Sequence, residues 1–338
     1  MLPAFDFCAK IEGGLYIRMK TRIVGTGSCL PETVVTNDDL SKIMDTSDEW
    51  ISSRTGIKER RLVKEETTAS MSIKASMRAM ENAGVTADDI DLIIAATVTS
   101  DHVTPSTACE IQAAIGADKA IAFDINAACS GFLFALHIAD AYLQLGRYKT
   151  ALILGAETLS RIMDWNDRST CVLFGDGAGA AIVRADQTGL LAYDQGSDGA
   201  RGMVLSCKNR SNNNPLVNNP TDIKFVHMDG QEVYKFAVTT VPSSINKALD
   251  EAGLTTQDID YFALHQANIR IIQAVAKRLK VPEDKFPTSL DHCGNISAAS
   301  VPILLDEMNQ QGLLKPGMKI VLAGFGGGLT WGTAVIEW

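Results

Sequence analysis

The chain has 338 residues, of which 46% are apolar, 21% charged and 6% aromatic, with a formal charge of −9. That length buries a large core, as one big α/β unit or two halves, and the acidic balance argues against non-specific binding to nucleic acid or anionic membrane. The seven cysteines (8, 29, 109, 129, 171, 207 and 293) form no CxxC or His/Cys spacing, and no stretch reaches the roughly 18 uninterrupted apolar residues of a membrane span. The expectation is a protein of the reducing cytoplasm with no metal site, no disulfide framework and no cofactor.

Residues 1–18 contain Asp6 and Glu12 and lack the basic start and apolar block of a signal peptide. Met19 stands just before the first strong strand pattern, "TRIVGTGSCLP", so residues 1–18 are expected to be an N-terminal extension. Further on, "AMENAGVTADDID" (79–91) is matched by "ALDEAGLTTQDID" (248–260), with seven of thirteen positions identical at an offset of 169. Each copy ends a helix at Ala-Gly and turns into a strand, "LIIAATV" or "YFALHQA". "TALILGAE" and "KIVLAGFGG" keep the same offset through Gly155 and Gly324. Alternating strands and helices in both copies predict a duplicated α/β fold with buried sheets, divided into halves at 19–190 and 191–338.

Cys129 lies in "IAFDINAACSGFLFALHIADAYL", where a strand-like run ends in small residues and an apolar helix begins. A thiol at that junction meets unpaired helix N–H groups, which lower a thiol pKa and favour a nucleophilic thiolate. Taken alone, it also fits a buried structural cysteine. "FGDGAGAAIV" (174–183) runs into a strand pattern and reads as a glycine turn permitting close sheet packing. His265 closes a strand, with Gln266 and Asn268 beside it. The helix over 268–280 sets Ile269, Ile272, Ala276 and Leu279 on an apolar stripe and Arg270 and Lys277 on a solvent face. Asn295, in "TSLDHCGNISAAS", is expected at the corner equivalent to that of Cys129, so the duplication brings Cys, His and Asn into one cleft. His292 and Cys293 lack that repeat relation. "GFGGG" at 324–328 exposes bare N–H groups able to hold an oxyanion, or forms a flexible hairpin.

The order Cys129, "HQAN" at His265, "GNISAAS" at Asn295 and "FGGGLTWG", together with "TSDEWISSRTGIKERR" (46–61) and "DRSTCVLFGDGAGAA" (167–181), resembles β-ketoacyl-acyl-carrier-protein synthase III of the thiolase superfamily. The resemblance runs from about Thr21 to Trp338. It implies a five-layered αβαβα thiolase-like fold and a homodimer. It also implies an enzyme that condenses a short acyl-CoA primer with malonyl-acyl-carrier protein in a decarboxylative Claisen reaction. In that reading Cys129 carries the acyl group, His265 and Asn295 bind the malonyl thioester carbonyl, and the Cys129 and Gly327 N–H groups form the oxyanion hole. Trp50 and Arg168 resemble the residues stacking on the CoA adenine. Arg54, Thr46, Asn268, Gly230 and Phe325 resemble the rest of the CoA and pantetheine pocket, and Lys235, Arg270 and Lys277 the carrier-protein docking patch. Thr104 stands where some members have phenylalanine at the end of the acyl pocket, reached across the dimer interface, and so leaves room for branched or longer primers.

Neighbouring activities fit less well. A degradative thiolase needs a second cysteine near the C-terminal glycine loop, and elongating synthases use two histidines. A starter-unit synthase of polyketide or signalling-molecule assembly shares the whole triad and stays open. A non-catalytic acyl-CoA or carrier-protein binding module leaves the intact triad without a purpose, and the dinucleotide fingerprint of an oxidoreductase is incomplete.

Overall fold

The computed structural model describes residues 8–10, 16–209, 216 and 225–338. Most of the expected extension therefore lies outside the described residues; within it, β1 (Cys8–Lys10) pairs antiparallel with β2 (Tyr16–Arg18). The first half opens on β3 (Lys20–Cys29). A short hairpin of β4 (Val34–Thr36) and β5 (Glu59–Arg61) brackets α1 (Asn37–Ser41) and α2 (Asp48–Thr55). Ser47 caps α2, and Gly56 ends it in the left-handed region. Then come α3 (Thr68–Ala83), β6 (Leu92–Ala96), α4 (Thr107–Ile115), β7 (Ile121–Ile125), α5 (Gly131–Gln144), β8 (Thr150–Thr158) and β9 (Asp176–Asp186).

The second half runs β10 (Leu190–Ser197), a small β11 (Leu205–Ser206) and β12 (His227–Met228) pair, α6 (Gly230–Ala252), β13 (Tyr261–Leu264), α7 (Ile269–Leu279) and α8 (Leu290–Cys293). It ends with α9 (Ser300–Gln310), β14 (Lys319–Gly326) and β15 (Thr330–Glu337). The buried stripe of α7 is Ile271, Ile272, Val275, Ala276 and Leu279. Ile269, assigned to that stripe from sequence, sits at its half-buried margin against Gly56.

The first sheet has the order β3-β9-β8-β6-β7 and the second the order β10-β15-β14-β13. In each, parallel pairs (β7-β6-β8 and β13-β14) meet an antiparallel edge. Buried residues of α5 and α9 fill the space between the two sheets with those of β6, β8, β13 and β14. Helices α3 and α4 cover the outer face of the first sheet, and α6 and α7 that of the second. The result is five layers, αβαβα, as a thiolase-like fold requires.

The offset of 169 is visible in the starts of elements: β6 and β13 at 92 and 261, α5 and α9 at 131 and 300, β8 and β14 at 150 and 319. Two 3₁₀ turns, Ala128–Ser130 and Ser297–Ala299, lead into the central helices and obey it too. Each packs on the strand of the other half. A Cβ at Gly155 on β8 would lie 2.1 Å from the Ala298 carbonyl oxygen, and one at Gly324 on β14 would lie 3.1 Å from that of Cys129. Glycine at these two matched positions admits the opposite corner.

Candidate active site

At the first corner β7 ends at Ile125, and Ala128 adopts φ 45°, a left-handed conformation that costs a residue with a Cβ. That turn sets Cys129 directly before α5. The Ser130 hydroxyl ties the corner down through Ala127 O at 2.8 Å and Thr330 Oγ1 at 2.7 Å. Gly326 closes over the cysteine: a Cβ there would sit 2.8 Å from Cys129 Cβ and 3.1 Å from its Sγ. Gly327, the expected oxyanion donor, lies one residue on, beside Ala128 and Leu205.

The second half supplies the partners. His265 follows β13, and its N–H donates to Ala323 O at 2.7 Å, which ties the residue to β14. The ring is buried edge-on against Phe325, centroids 5.3 Å apart, and Nδ1 has no hydrogen-bond partner. Burial alone pushes its pKa down to about 3, so the imidazole is neutral near pH 7. Asn295 is pinned by its N–H to Leu173 O (2.9 Å) and by Gly175 N–H to its own carbonyl (3.0 Å). Its Oδ1 accepts from the Ser297 N–H at 2.9 Å, which leaves the amide hydrogens for a ligand.

Two expectations need correction. At the offset of 169, the position equivalent to Cys129 is Ala298, and Asn295 matches Asn126. Asn295 therefore reaches the cleft from three residues before its own half's corner. The thiol pKa is raised, not lowered: burial dominates and pushes Cys129 up to about 12, against the lowering from its own backbone N–H.

Sequence reasoning missed two residues beside it. Ser297, at φ 45° like Ala128, stands at the second corner with its N–H donated to Asn295 Oδ1. Glu157, near the end of β8, has no exposed surface. It accepts from Thr99 Oγ1 (2.5 Å), the Val98 N–H (3.2 Å) and Thr97 Oγ1 (3.4 Å), and burial pushes its pKa up to about 7. A signal was available, since Glu157 stands 169 residues before Gly326.

Farther out, Trp50 is half-buried between two cations. The guanidinium carbons of Arg54 and Arg168 lie 4.8 and 5.1 Å from its ring centre, and Arg168 is also bonded to the Asp45 backbone and carboxylate. Thr46 carries a buried hydroxyl without a partner, and Asn268 caps α7 through Oδ1. Gly230 begins α6; Lys235, paired with Glu232, and the exposed Arg270 and Lys277 add positive charge. Thr104 is exposed beside the exposed Val103. His292 bridges Asp291 and Glu307, and Cys293 and those carboxylates push its pKa up to about 11.

These features define a condensing acyltransferase of the thiolase superfamily. Family models described as 3-oxoacyl-[acyl-carrier-protein] synthase III match residues 123–199 and, for the C-terminal part, 249–338. A synthase III from Clostridium acetobutylicum is 52% identical over 94% of this chain and 98% of its own length. The crystal structure of 3-oxoacyl-[acyl-carrier-protein] synthase III from Aquifex aeolicus superposes with a TM-score of 0.88 at 44% identity, covering 94% of this chain and all of that one. The priming β-ketosynthase of the R1128 polyketide pathway gives 0.87 at 36% identity, covering 96% and 98%. The chain belongs to the β-ketoacyl-acyl-carrier-protein synthase III family. No helix among the described residues is long and apolar enough to cross a membrane.

Proposed function

We propose that this enzyme initiates fatty-acid synthesis by condensing a short acyl-CoA with malonyl-acyl-carrier protein, releasing CoA, carbon dioxide and a β-ketoacyl-carrier protein. What supports the reading is Gly326 of the second half packed on Cys129 of the first, with its neighbour Phe325 against the His265 ring and Asn295 accepting from Ser297 at the matching corner. Cys129 takes the acyl group as a thioester, splitting the reaction into two stages. The Cys129 and Gly327 N–H groups receive the oxyanion of acyl transfer. Decarboxylation then builds charge on the malonyl thioester oxygen, where the neutral His265 ring and the Asn295 amide donate without becoming charged themselves.

The reaction uses CoA thioesters as substrates and calls for no metal or cofactor. The Trp50, Arg54 and Arg168 stack, with Thr46, Asn268, Gly230 and Phe325, holds the CoA arm. Lys235, Arg270 and Lys277 meet the acidic carrier protein, and the cytoplasm is the compartment that keeps the thiol reduced. A homodimer is supported by the free edge strand β7 and the exposed Val98, Val103 and Ile121 near it. The halves 19–190 and 191–338 and an extension at 1–18 complete the reading.

Primer choice is the test. Offered acetyl-, isobutyryl- and hexanoyl-CoA with malonyl-carrier protein, the enzyme is expected to load branched or longer groups on Cys129 as well as acetyl, because Thr104 is small. Strict acetyl preference contradicts that role for Thr104, and a chain that loads no primer contradicts the function. The likeness to the polyketide priming synthase favours a second reading, which preference for a non-acetyl primer together with a non-fatty-acid carrier protein would select.

A further inference from the structure

His292 and Cys293 end α8, and Glu307 stands on α9. The condensation uses none of the three. Yet one ligand atom from each, a ring nitrogen, the sulfur and a carboxylate oxygen, all lie within 4.8 Å of one another. Glu307 Oε1 is the common point, 2.9 Å from His292 Nε2 and 3.8 Å from Cys293 Sγ. A tetrahedral zinc ion, with bonds of about 2.0–2.3 Å, holds such atoms roughly 3.3–3.8 Å apart. The Cys–Glu edge already has that length, and the His–Glu edge has to open by about half an ångström.

The surroundings suit a metal as well. Asp291 Oδ1 lies 2.9 Å from His292 Nδ1, the carboxylate–imidazole contact that fixes a metal-binding ring and turns its other nitrogen to the ion. The backbone carrying the pair is held firmly. The Cys293 N–H donates to Ser289 O at 3.0 Å, and a Cβ at Gly175 would lie 2.3 Å from the Cys293 carbonyl oxygen, so only glycine admits that packing. Cys293 is buried, while His292 and Glu307 are half-buried, which leaves solvent access for an ion and for a water as fourth ligand.

We propose that His292, Cys293 and Glu307 bind one zinc ion, with Asp291 orienting His292. Thiolate and carboxylate together neutralise the two charges of the ion, and the thiolate selects zinc over magnesium or calcium. Binding exchanges the ion for the protons on Cys293 Sγ and His292 Nε2, which pass to solvent. The consequence is structural. Joining residues 293 and 307 closes the segment that carries Asn295, the Ser297 turn and the start of α9, so the ion staples the second corner. Sequence concealed the site because His292 and Cys293 are adjacent and the third ligand follows 14 residues later, a spacing outside the common zinc motifs.

The test is zinc binding by the purified full-length chain after chelator treatment, read by elemental analysis and by the absorption spectrum of the cobalt(II)-substituted protein. It is run on wild type and on Cys129→Ala, so that the active-site thiol does not contribute. Both should take up one zinc per chain, and cobalt should show thiolate-to-metal charge-transfer absorption. Cys293→Ser and His292→Ala, each made in Cys129→Ala, should abolish stoichiometric zinc, and Asp291→Asn should weaken it about 10- to 100-fold. Zinc should also raise the thermal unfolding midpoint by a few degrees, a shift absent from His292→Ala. Less than one zinc per chain in Cys129→Ala, or stoichiometric zinc that persists in either ligand variant, overturns the site and leaves a metal-free ion pair. Should Cys293→Ser fail to fold, the half-buried His292→Ala decides. Loss of the zinc site leaves the condensing function standing, since neither rests on the other.

Discussion

The two corners of this molecule share a backbone and differ in their chemistry. Ala128 and Ser297 both adopt φ 45°, both turns feed a central helix, and both pack on a glycine of the opposite half. Yet the first corner presents Cys129 under Gly326, whereas the second presents Ala298 and Ser297 with Glu157 at the position matching that glycine. Duplication supplied the scaffold twice, and the chemistry was then divided. One corner holds the nucleophile, while the other carries Ser297 and Asn295. Symmetric folds make such divided sites cheap to build, because matched loops already face each other.

Moving the thiol between corners breaks the comparison most severely. Cys129→Ala should abolish acylation, a loss of about four orders of magnitude or more in turnover, and adding Ala298→Cys should not restore it, because the second corner lacks the Gly326 opening. Recovery of turnover in that double variant would show the corners to be equivalent. Making the matched positions alike is the next largest change. Gly326→Ala places a Cβ 2.8 Å from the backbone N of Cys129, so acylation should fall about 10²-fold, with a loss of roughly 1–3 kcal/mol in denaturant unfolding. A fully active Gly326→Ala enzyme would mean the opening is unimportant.

The corner partners also titrate in opposite senses. His265 has a folded pKa near 3 against an ordinary 6.5, so the unfolded chain binds more protons between those values and stability falls as pH drops through that window. Glu157 has a folded pKa near 7 against 4.5, so the native state binds more protons there and stability rises as pH falls from about 7 to 4.5. Denaturant midpoints should show His265→Asn flattening the acid loss and Glu157→Gln steepening it, each by up to about 1.4 kcal/mol per pH unit. Parallel curves for wild type and variants would contradict the burial of these groups. The smallest effect lies outside both corners. Trp50→Ala should raise KM for acyl-CoA about tenfold with kcat nearly unchanged, as expected for lost stacking.

Much of this was legible in the sequence. The repeated "AG…T…DID" segments fixed the offset, and small residues around Cys129 marked a crowded corner. The reading slipped where similarity of letters stood in for register. "GNISAAS" looked like the partner of "NAACSG", but counting 169 places Ala298, not Asn295, opposite Cys129. The thiol pKa was misjudged because sequence reveals a helix start but not the burial that pushes the pKa up. Glu157 escaped notice for a related reason: its ligands Thr97 and Thr99 come from another strand end, and nothing in "LGAETLS" announces a buried carboxylate.

The most direct measurement is peptide mass spectrometry of the enzyme after incubation with acyl-CoA alone. A divided site with one nucleophilic corner predicts a single acyl group per chain, confined to the peptide bearing Cys129 and absent from Cys129→Ala. Acylation of Cys293 or another cysteine in its place, or persistence of the adduct in Cys129→Ala, would contradict it.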